Sequence, residues 1–320
     1  MKKIYEFLLW NNCGNNCTFC HQRMHERKID DKILNPEEQI DSLNKCKEFL
    51  DTQFEKGNHI LLVGGEIFDI TNSEVKKAFI ELILKKILKM MSNNEIELLY
   101  INTNLLYEDI TLLDWFLSLF QANNLLNRLK FTTSYDIIGR FNIVGKELLF
   151  YKNLKYITDT YKDIHVVVNT VLTNIACRRI QDDMFGANEM IKYLSNQGKT
   201  KWTIKDWIDY FKVEINTIPY IRLGFELAPE MPTKSTVFKT LQHIDNIIPG
   251  YLEQYINNIG LKQEKLLYEY RKNIKDFVYC SSKLGECGHS INFKQSFKDS
   301  DKCFPCEIKK LLKNKDLLKE

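Results

Sequence analysis

Short apolar runs alternate with helical segments along most of this 320-residue chain, and that alternation limits the folds open to it. Runs of this length, bounded by Gly, Pro, Asn or charged residues, predict buried strands, and the longer periodic segments between them predict helices. Strands joined by helices are typical of βα units on a parallel sheet. The expected strands are residues 4–10, 59–63, 96–106, 129–136, 165–172 and 220–227, and the expected helices between them are residues 36–56, 73–92, 111–122, 145–161 and 187–213.

Six such units are too few to close an eight-fold barrel. We therefore expect an α/β fold of the TIM type that forms a partial (β/α)6 barrel, with a small cysteine-rich lobe at its C-terminal side. The predicted organisation is a core barrel over residues 1–232, a helical connection over 233–277 and a cysteine-rich metal-binding tail over 278–320.

The cysteine usage points to metal ligation in a reducing compartment. Seven of the nine cysteines fall into two tight clusters, which suits metal binding better than a disulfide framework. The charged first residues differ from a signal peptide, and no apolar run is long enough to span a membrane. We expect a cytoplasmic protein without a membrane partner. The net charge of +3 argues neither for nor against nucleic acid.

The first cysteine cluster follows the first predicted strand. Cys13, Cys17 and Cys20 have the spacing C-x3-C-x2-C on a polar loop, which can wrap three thiolates around one inorganic centre. Three soft thiolates suit an iron–sulfur cluster or zinc. In the zinc alternative, His21 or His25 completes the tetrahedral set.

Polar residues also end the other predicted strands. In parallel sheets, ligands bind at the carboxyl ends of the strands, so these residues are expected at one edge together with the cysteine loop. They are Gly64-Gly65-Glu66 after strand two, Asn102-Thr103-Asn104 at strand three, Ser134-Tyr135-Asp136 at strand four and Asn169-Thr170 in strand five.

The cysteine spacing, with Phe19 just before the third cysteine, resembles the signature of the radical S-adenosylmethionine (SAM) superfamily. Gly64-Gly65-Glu66 is similar to the Gly-Gly-Glu motif of the same family. The resemblance covers about the first 230 residues. It implies an oxygen-sensitive oxidoreductase in which Cys13, Cys17 and Cys20 hold a [4Fe-4S] cluster. In this family the open iron is chelated by the amino and carboxylate groups of SAM, and an electron from the cluster releases a 5′-deoxyadenosyl radical.

The same resemblance implies roles for individual residues. Gly64 and Gly65 would let the backbone approach the SAM ammonium, and Glu66 would receive its positive charge. Ser134, Asp136 and Asn169 would contact the ribose or the carboxylate of SAM. The chain at Phe19 would face the adenine, and Arg140 would offer a guanidinium to the carboxylate. The electron would come from a donor such as flavodoxin or ferredoxin.

The second cluster lies in the tail, where four cysteines make a complete tetrahedral set that predicts a closed site. In one interpretation, zinc bound by these four cysteines would stabilise a small C-terminal lobe. Alternatively the tail resembles the auxiliary-cluster domains of the SPASM or Twitch type that follow many radical SAM cores, and this resemblance favours a [4Fe-4S] cluster over zinc. The residues are Cys280, Cys287, Cys303 and Cys306.

An auxiliary cluster accompanies peptide or protein modification in that family, so a peptide or protein substrate is expected, with nucleotide or nucleic acid as the alternative. A different class of function is a zinc-dependent module that binds nucleic acid or protein. Cys46 and Cys177 are expected to be buried thiols, and Cys177 and Tyr135 are also candidates to relay or quench a substrate radical.

Overall fold

Seven strands form one all-parallel sheet in the part of the chain that the computed structural model describes. Those described residues are 3–10, 12–15, 34–135, 145–185, 201–219, 234–254 and 264–269. The strands are β1 (Lys3–Leu8), β2 (Asn58–Val63), β3 (Ile96–Asn102), β4 (Leu129–Ser134), β5 (His165–Leu172), β6 (Glu214–Pro219) and β7 (Glu264–Glu269). Their order is β6-β5-β4-β3-β2-β1-β7, and every neighbouring pair is parallel, which confirms the α/β class.

At least one helix follows each of the first six strands. They are α1 (Pro36–Thr52), α2 (Ser73–Ala78), α3 (Lys85–Ser92), α4 (Thr111–Ala122), α5 (Lys146–Thr160), α6 (Asn174–Gln181), α7 (Ile204–Phe211) and α8 (Lys234–Ile247). A π-helical turn, Phe79–Leu84, joins α2 to α3. Because β1 to β6 are neighbours in chain order, each crossover runs in the same direction and places its helix on the same face of the sheet.

Side-chain caps begin helices α1, α2 and α7. Asn35 and Thr203 each form a capping box, with Glu38 and Asp206 respectively, because a side-chain oxygen accepts a free N–H of the first turn. Asn72 caps α2, and its side chain accepts hydrogen bonds from the backbone of Glu74 and Val75.

The two faces of the sheet differ in composition. In β5, Val166, Val168 and Leu172 are buried, whereas His165 and Asn169 are only half-buried. This period of two is what a strand with a covered face and a more open face requires. The covered face packs on the helices. The other face carries the polar side chains that matter below.

A strand that the sequence analysis did not predict follows α7. Residues 214–219 form β6 directly after α7, whereas the predicted strand over 220–227 lies outside the described residues. The buried Ile215 and Thr217 alternate with the half-buried Glu214 and Asn216. This alternation is too short, and too polar in sequence, to predict a strand.

The helix predicted over 233–277 is confirmed at α8 but is wrong at residues 264–269, which form β7. This strand pairs in parallel with β1, from Lys3 opposite Glu264 to Leu8 opposite Glu269. A short apolar run can be helix or strand, and here the otherwise unpaired edge of β1 offers backbone hydrogen bonds that decide it. The division of the chain at residues 232 and 277 stays a prediction.

Among the described helices none is both long and apolar enough to cross a membrane.

An aromatic cluster fills the space between β4, α5 and α7. Its centre is the fully buried Trp207, whose ring lies 4.6 Å from that of Tyr135 and 4.9 Å from that of Phe211. Trp202, which precedes α7, is buried as well. The remaining members are Phe150, Tyr151 and Phe185.

Replacement of Trp207 by alanine should lower the free energy of unfolding by about 3–5 kcal/mol, because it leaves a large cavity among rings that cannot collapse into it. Urea denaturation measures this change. Tyr156→Ala is the control, since that ring is 43% exposed, and it should cost about 1 kcal/mol or less. Equal losses in the two variants would contradict the assignment of Trp207 to the core.

Candidate functional site

The two motifs singled out from the sequence are paired backbone to backbone at the carboxyl edge of the sheet. Beyond the end of β1, the Leu9 N–H donates to the carbonyl of Val63 at 3.0 Å. The N–H groups of Gly65 and Glu66 then donate to the carbonyls of Trp10 and Asn12, each at 2.8 Å. The Gly64–Glu66 turn and the start of the cysteine loop therefore form one continuous strip.

Gly64 is required by this close approach. A Cβ atom at this position would lie 2.9 Å from Cγ2 of Ile67 and 3.1 Å from the carbonyl oxygen of Trp10. The indole N–H of Trp10 also donates to the Glu66 carbonyl at 3.1 Å. This hydrogen bond fixes the indole ring against the Gly64–Glu66 turn. The glycine is needed here for space.

Asn12 anchors both ends of the segment that contains the other two cysteines of the motif. Its side-chain amide donates to the carbonyl of Leu34 at 2.9 Å, and its side-chain oxygen accepts the Leu34 N–H at 3.2 Å. Nearby, the buried hydroxyl of Ser42 in α1 donates to the Leu9 carbonyl at 2.7 Å. The chain thus leaves β1 and returns to α1 at one place, although residues 16–33 between these points lie outside the described residues.

Cys13 is half-buried, and two N–H groups point at its sulfur. The backbone N–H of Asn15 lies 3.4 Å from Sγ, and the side-chain amide of Asn104 lies 3.5 Å from it. Lys146, the first residue of α5, donates to the Gly14 carbonyl at 3.1 Å and to the Asn15 side-chain oxygen at 3.2 Å. N–H groups directed at the sulfur are a common feature of cysteines that ligate iron–sulfur clusters.

Glu66 is a buried carboxylate that joins β2 to the residues after β3. Its Oε1 accepts the Thr103 hydroxyl at 2.8 Å and the Phe68 N–H at 3.2 Å, and its Oε2 accepts the Asn104 N–H at 2.6 Å. Burial raises the pKa of Glu66 to about 7. The three hydrogen bonds oppose that rise, and nearby Asp69 adds to it.

Ser134 and Asn169 lie opposite each other on β4 and β5, on the face of the sheet away from the helices. Asn216 lies opposite Asn169 on β6, and its amide donates to the Asn169 side-chain oxygen at 2.9 Å. Because that oxygen is engaged, the amide nitrogen of Asn169 remains as its donor toward a ligand. Two predicted contact residues are therefore neighbours, as expected.

The two candidates for a radical relay lie on the helix-facing side. Tyr135 is fully buried in the aromatic cluster, and its hydroxyl donates to the Glu147 carboxylate at 3.3 Å. Cys177 lies within α6, where burial raises the pKa of its thiol to about 11. In α1, burial raises the pKa of Cys46 to about 12. Both cysteines are buried thiols, as predicted.

Several predicted site residues fall outside the described residues: Cys17, Phe19, Cys20, Asp136, Arg140, Cys280, Cys287, Cys303 and Cys306. Among the residues that are described, no three His, Cys, Asp or Glu side chains lie together as a metal-binding group. Cys13 is the one described member of the first cysteine motif.

Sequence reasoning missed two residues of this site, Lys146 and Asn216, which carried no signal of their own. It placed Asn104 at the correct edge of the sheet but did not predict its contact with Cys13. A lysine in the first turn of a helix and an asparagine in a short strand are common, and their contacts with the cysteine loop and Asn169 depend on tertiary structure.

Comparison with known proteins leaves the site to be interpreted from its own chemistry, because the chain matches no protein-family model and no curated protein.

Gly64→Ala should destabilise the fold by about 1–3 kcal/mol, because the added methyl group overlaps Ile67 and the Trp10 carbonyl. Gly14→Ala is the matched control in the same region. Its Cβ would meet Asp69 Oδ2 at an ordinary 3.5 Å, so we expect a change within about 0.5 kcal/mol. Chemical denaturation of the metal-free chain measures both, and a tolerated Gly64→Ala would refute the close approach.

The buried Glu66 should make stability depend on pH. Its pKa in the folded chain is about 7, above the ordinary value of 4.5, so the folded state binds this proton more tightly. The contribution of Glu66 to the free energy of unfolding is complete below its ordinary pKa of 4.5 and is lost as the pH rises through about 7. The difference in unfolding free energy between wild type and Glu66→Gln should therefore fall by ~2 kcal/mol from about pH 5 to about pH 8. A difference that stays flat with pH would show an ordinary exposed carboxylate, and one that rises would show a carboxyl group whose pKa is lowered in the folded chain.

Proposed function

We propose that this protein is a radical SAM enzyme. The observation that carries the proposal is the pairing of the Gly64–Glu66 turn with the start of the cysteine loop at the carboxyl edge of a parallel sheet. Either motif alone is weakly specific. Their direct backbone contact places a cysteine and a glycine-rich turn where ligands of parallel α/β folds bind.

The proposed architecture is a partial (β/α)6 barrel. Six neighbouring strands in chain order, with their helices on one face, are the arrangement that curls into a barrel wall. The polar face away from the helices would then be the inner wall, with Ser134, Asn169 and Asn216 near its mouth. The seventh strand, β7, extends the wall beside β1.

In the proposed metal centre, Cys13, Cys17 and Cys20 hold a [4Fe-4S] cluster. The environment of Cys13 suits this role, because its sulfur accepts two N–H groups in a half-buried position, as thiolate ligands of such clusters do. When bound, the cluster supplies an electron to SAM, giving the 5′-deoxyadenosyl radical that removes a hydrogen atom from the substrate. The chain positions SAM and shields the site from water.

The residues around the site would divide this work. Gly64 and Gly65 leave the backbone accessible to the SAM ammonium, and Ser134 and Asn169 offer hydrogen bonds to its ribose or carboxylate. Glu66 already accepts three protein hydrogen bonds, so we assign it chiefly to holding the strip and the residues after β3 in place. Phe19, Asp136 and Arg140 keep the roles that the family resemblance implies.

The tail cysteines Cys280, Cys287, Cys303 and Cys306 form a second centre in this proposal, a [4Fe-4S] cluster in preference to zinc. Such a centre favours a peptide or protein as the substrate over a nucleotide or nucleic acid. An electron donor of the flavodoxin or ferredoxin type completes the system, and a reducing cytoplasm is the compartment that suits exposed thiolates and clusters.

Anaerobic reconstitution with iron and sulfide tests the proposal. The full chain should turn brown and, with SAM and dithionite, should release 5′-deoxyadenosine detectable by mass spectrometry. Cys20→Ala should abolish that product because it removes a cluster ligand, whereas Cys46→Ala, which removes a buried protonated thiol, should keep it.

A colourless protein that retains zinc and no iron would overturn the proposal in favour of the zinc-dependent binding module. Release of 5′-deoxyadenosine by Cys20→Ala at the wild-type rate would also contradict it, because the cluster would then lie elsewhere.

A further inference from the structure

Asn104 links the strand layer to the first cysteine of the motif from 91 residues away. It follows β3, its side chain is 8% exposed, and its amide nitrogen lies 3.5 Å from Cys13 Sγ. A buried amide aimed at a sulfur is a specific arrangement, since buried polar groups take partners that fit them.

The orientation of this amide is fixed by the surrounding backbone. The Leu106 N–H donates to the Asn104 side-chain oxygen at 2.7 Å, so the oxygen is turned away from the sulfur and the nitrogen toward it. The backbone N–H of Asn104 is in turn held by Glu66 at 2.6 Å. The side chain has contacts at both ends and cannot rotate without losing one.

Backbone strain marks the same position. Leu105 has φ of 57°, a left-handed conformation that a leucine rarely adopts. Its N–H bonds to the Thr103 hydroxyl at 3.3 Å, and its carbonyl accepts the buried Asn153 amide at 3.0 Å. Strain of this kind persists where the surroundings over-determine the conformation, and here it places Asn104 beside the cysteine.

An N–H group directed at a thiolate ligand stabilises the more negative redox state of a cluster. When the cluster gains an electron, charge on its sulfur ligands increases, so a fixed donor helps the reduced form more than the oxidised form. The donor therefore raises the reduction potential. This matters for an enzyme whose cluster must accept an electron before SAM is cleaved.

We infer that Asn104 is a positioning residue that sets the reduction potential of the cluster by donating a hydrogen bond to Cys13, and that Glu66 acts through Asn104. The inference rests on the proposed function, because it requires a redox-active cluster on the cysteine loop. It assigns the Thr103–Leu106 turn a task that the sequence motifs do not include.

Redox titration of the reconstituted full chain, followed by electron paramagnetic resonance, tests the inference. Asn104→Ala removes the donor, and Asn104→Asp keeps the acceptor for the Leu106 N–H while replacing the donor by an anionic oxygen. Both should shift the potential to more negative values, by about a tenfold change in the reduction equilibrium, or about 59 mV for one electron. The shift should be larger for Asp. Asn102→Ala removes an exposed amide at the end of β3 and should leave the potential unchanged.

A second measurement needs no variant. In wild-type protein labelled with ¹⁵N at asparagine side chains, the reduced cluster should show a nitrogen coupling from a hydrogen-bonded amide. Wild-type potentials in both Asn104 variants, or the absence of that coupling, would overturn the inference while leaving the enzyme proposal standing. A wild-type chain that takes up no iron would instead refute the proposed function itself.

Discussion

The backbone pairing of Trp10 and Asn12 with the Gly64–Glu66 turn is the contact on which the rest of the site depends. It extends the β1–β2 ladder past the ends of both strands, so the cysteine loop starts from a fixed position. Gly64 permits the approach and the Trp10 indole secures it. From this strip the segment 16–33 leaves and returns at Asn12, so two anchor points next to the sheet determine where that segment starts and ends.

Glu66 connects this strip to the residues after β3 through side-chain hydrogen bonds. A buried carboxylate is costly unless its oxygens are hydrogen-bonded, and Glu66 has three donors from the protein. Two of these hydrogen bonds fix Thr103 and Asn104 in place, and the Asn104 side-chain amide donates to Cys13 Sγ. Lys146, at the start of α5, donates a hydrogen bond to the carbonyl of Gly14, the residue after Cys13. Four elements distant in sequence thus converge on the surroundings of one cysteine sulfur, which explains how a loop can be preorganised for a metal centre.

Strong local patterns were predictable from the sequence, and tertiary choices were not. The β-branched run of β5 and the capping boxes at Asn35 and Thr203 encode their own structure, and the adjacency of the cysteine loop to Gly64-Gly65-Glu66 followed from parallel-sheet geometry. β7 escaped prediction because pairing with β1 decides between helix and strand for a six-residue segment. The contacts of Asn104, Lys146 and Asn216 join residues up to 132 positions apart, and no local pattern reports them.

The proposed function requires a cluster on the cysteine loop with one iron open to SAM. Mössbauer spectroscopy of the full chain reconstituted anaerobically with ⁵⁷Fe, before and after addition of SAM, tests this most directly. The signal of a single iron site should change on addition of SAM, because the amino and carboxylate groups of SAM would bind there, while the signals of the other sites should stay the same. Spectra identical with and without SAM, in a protein that holds its iron, would contradict it.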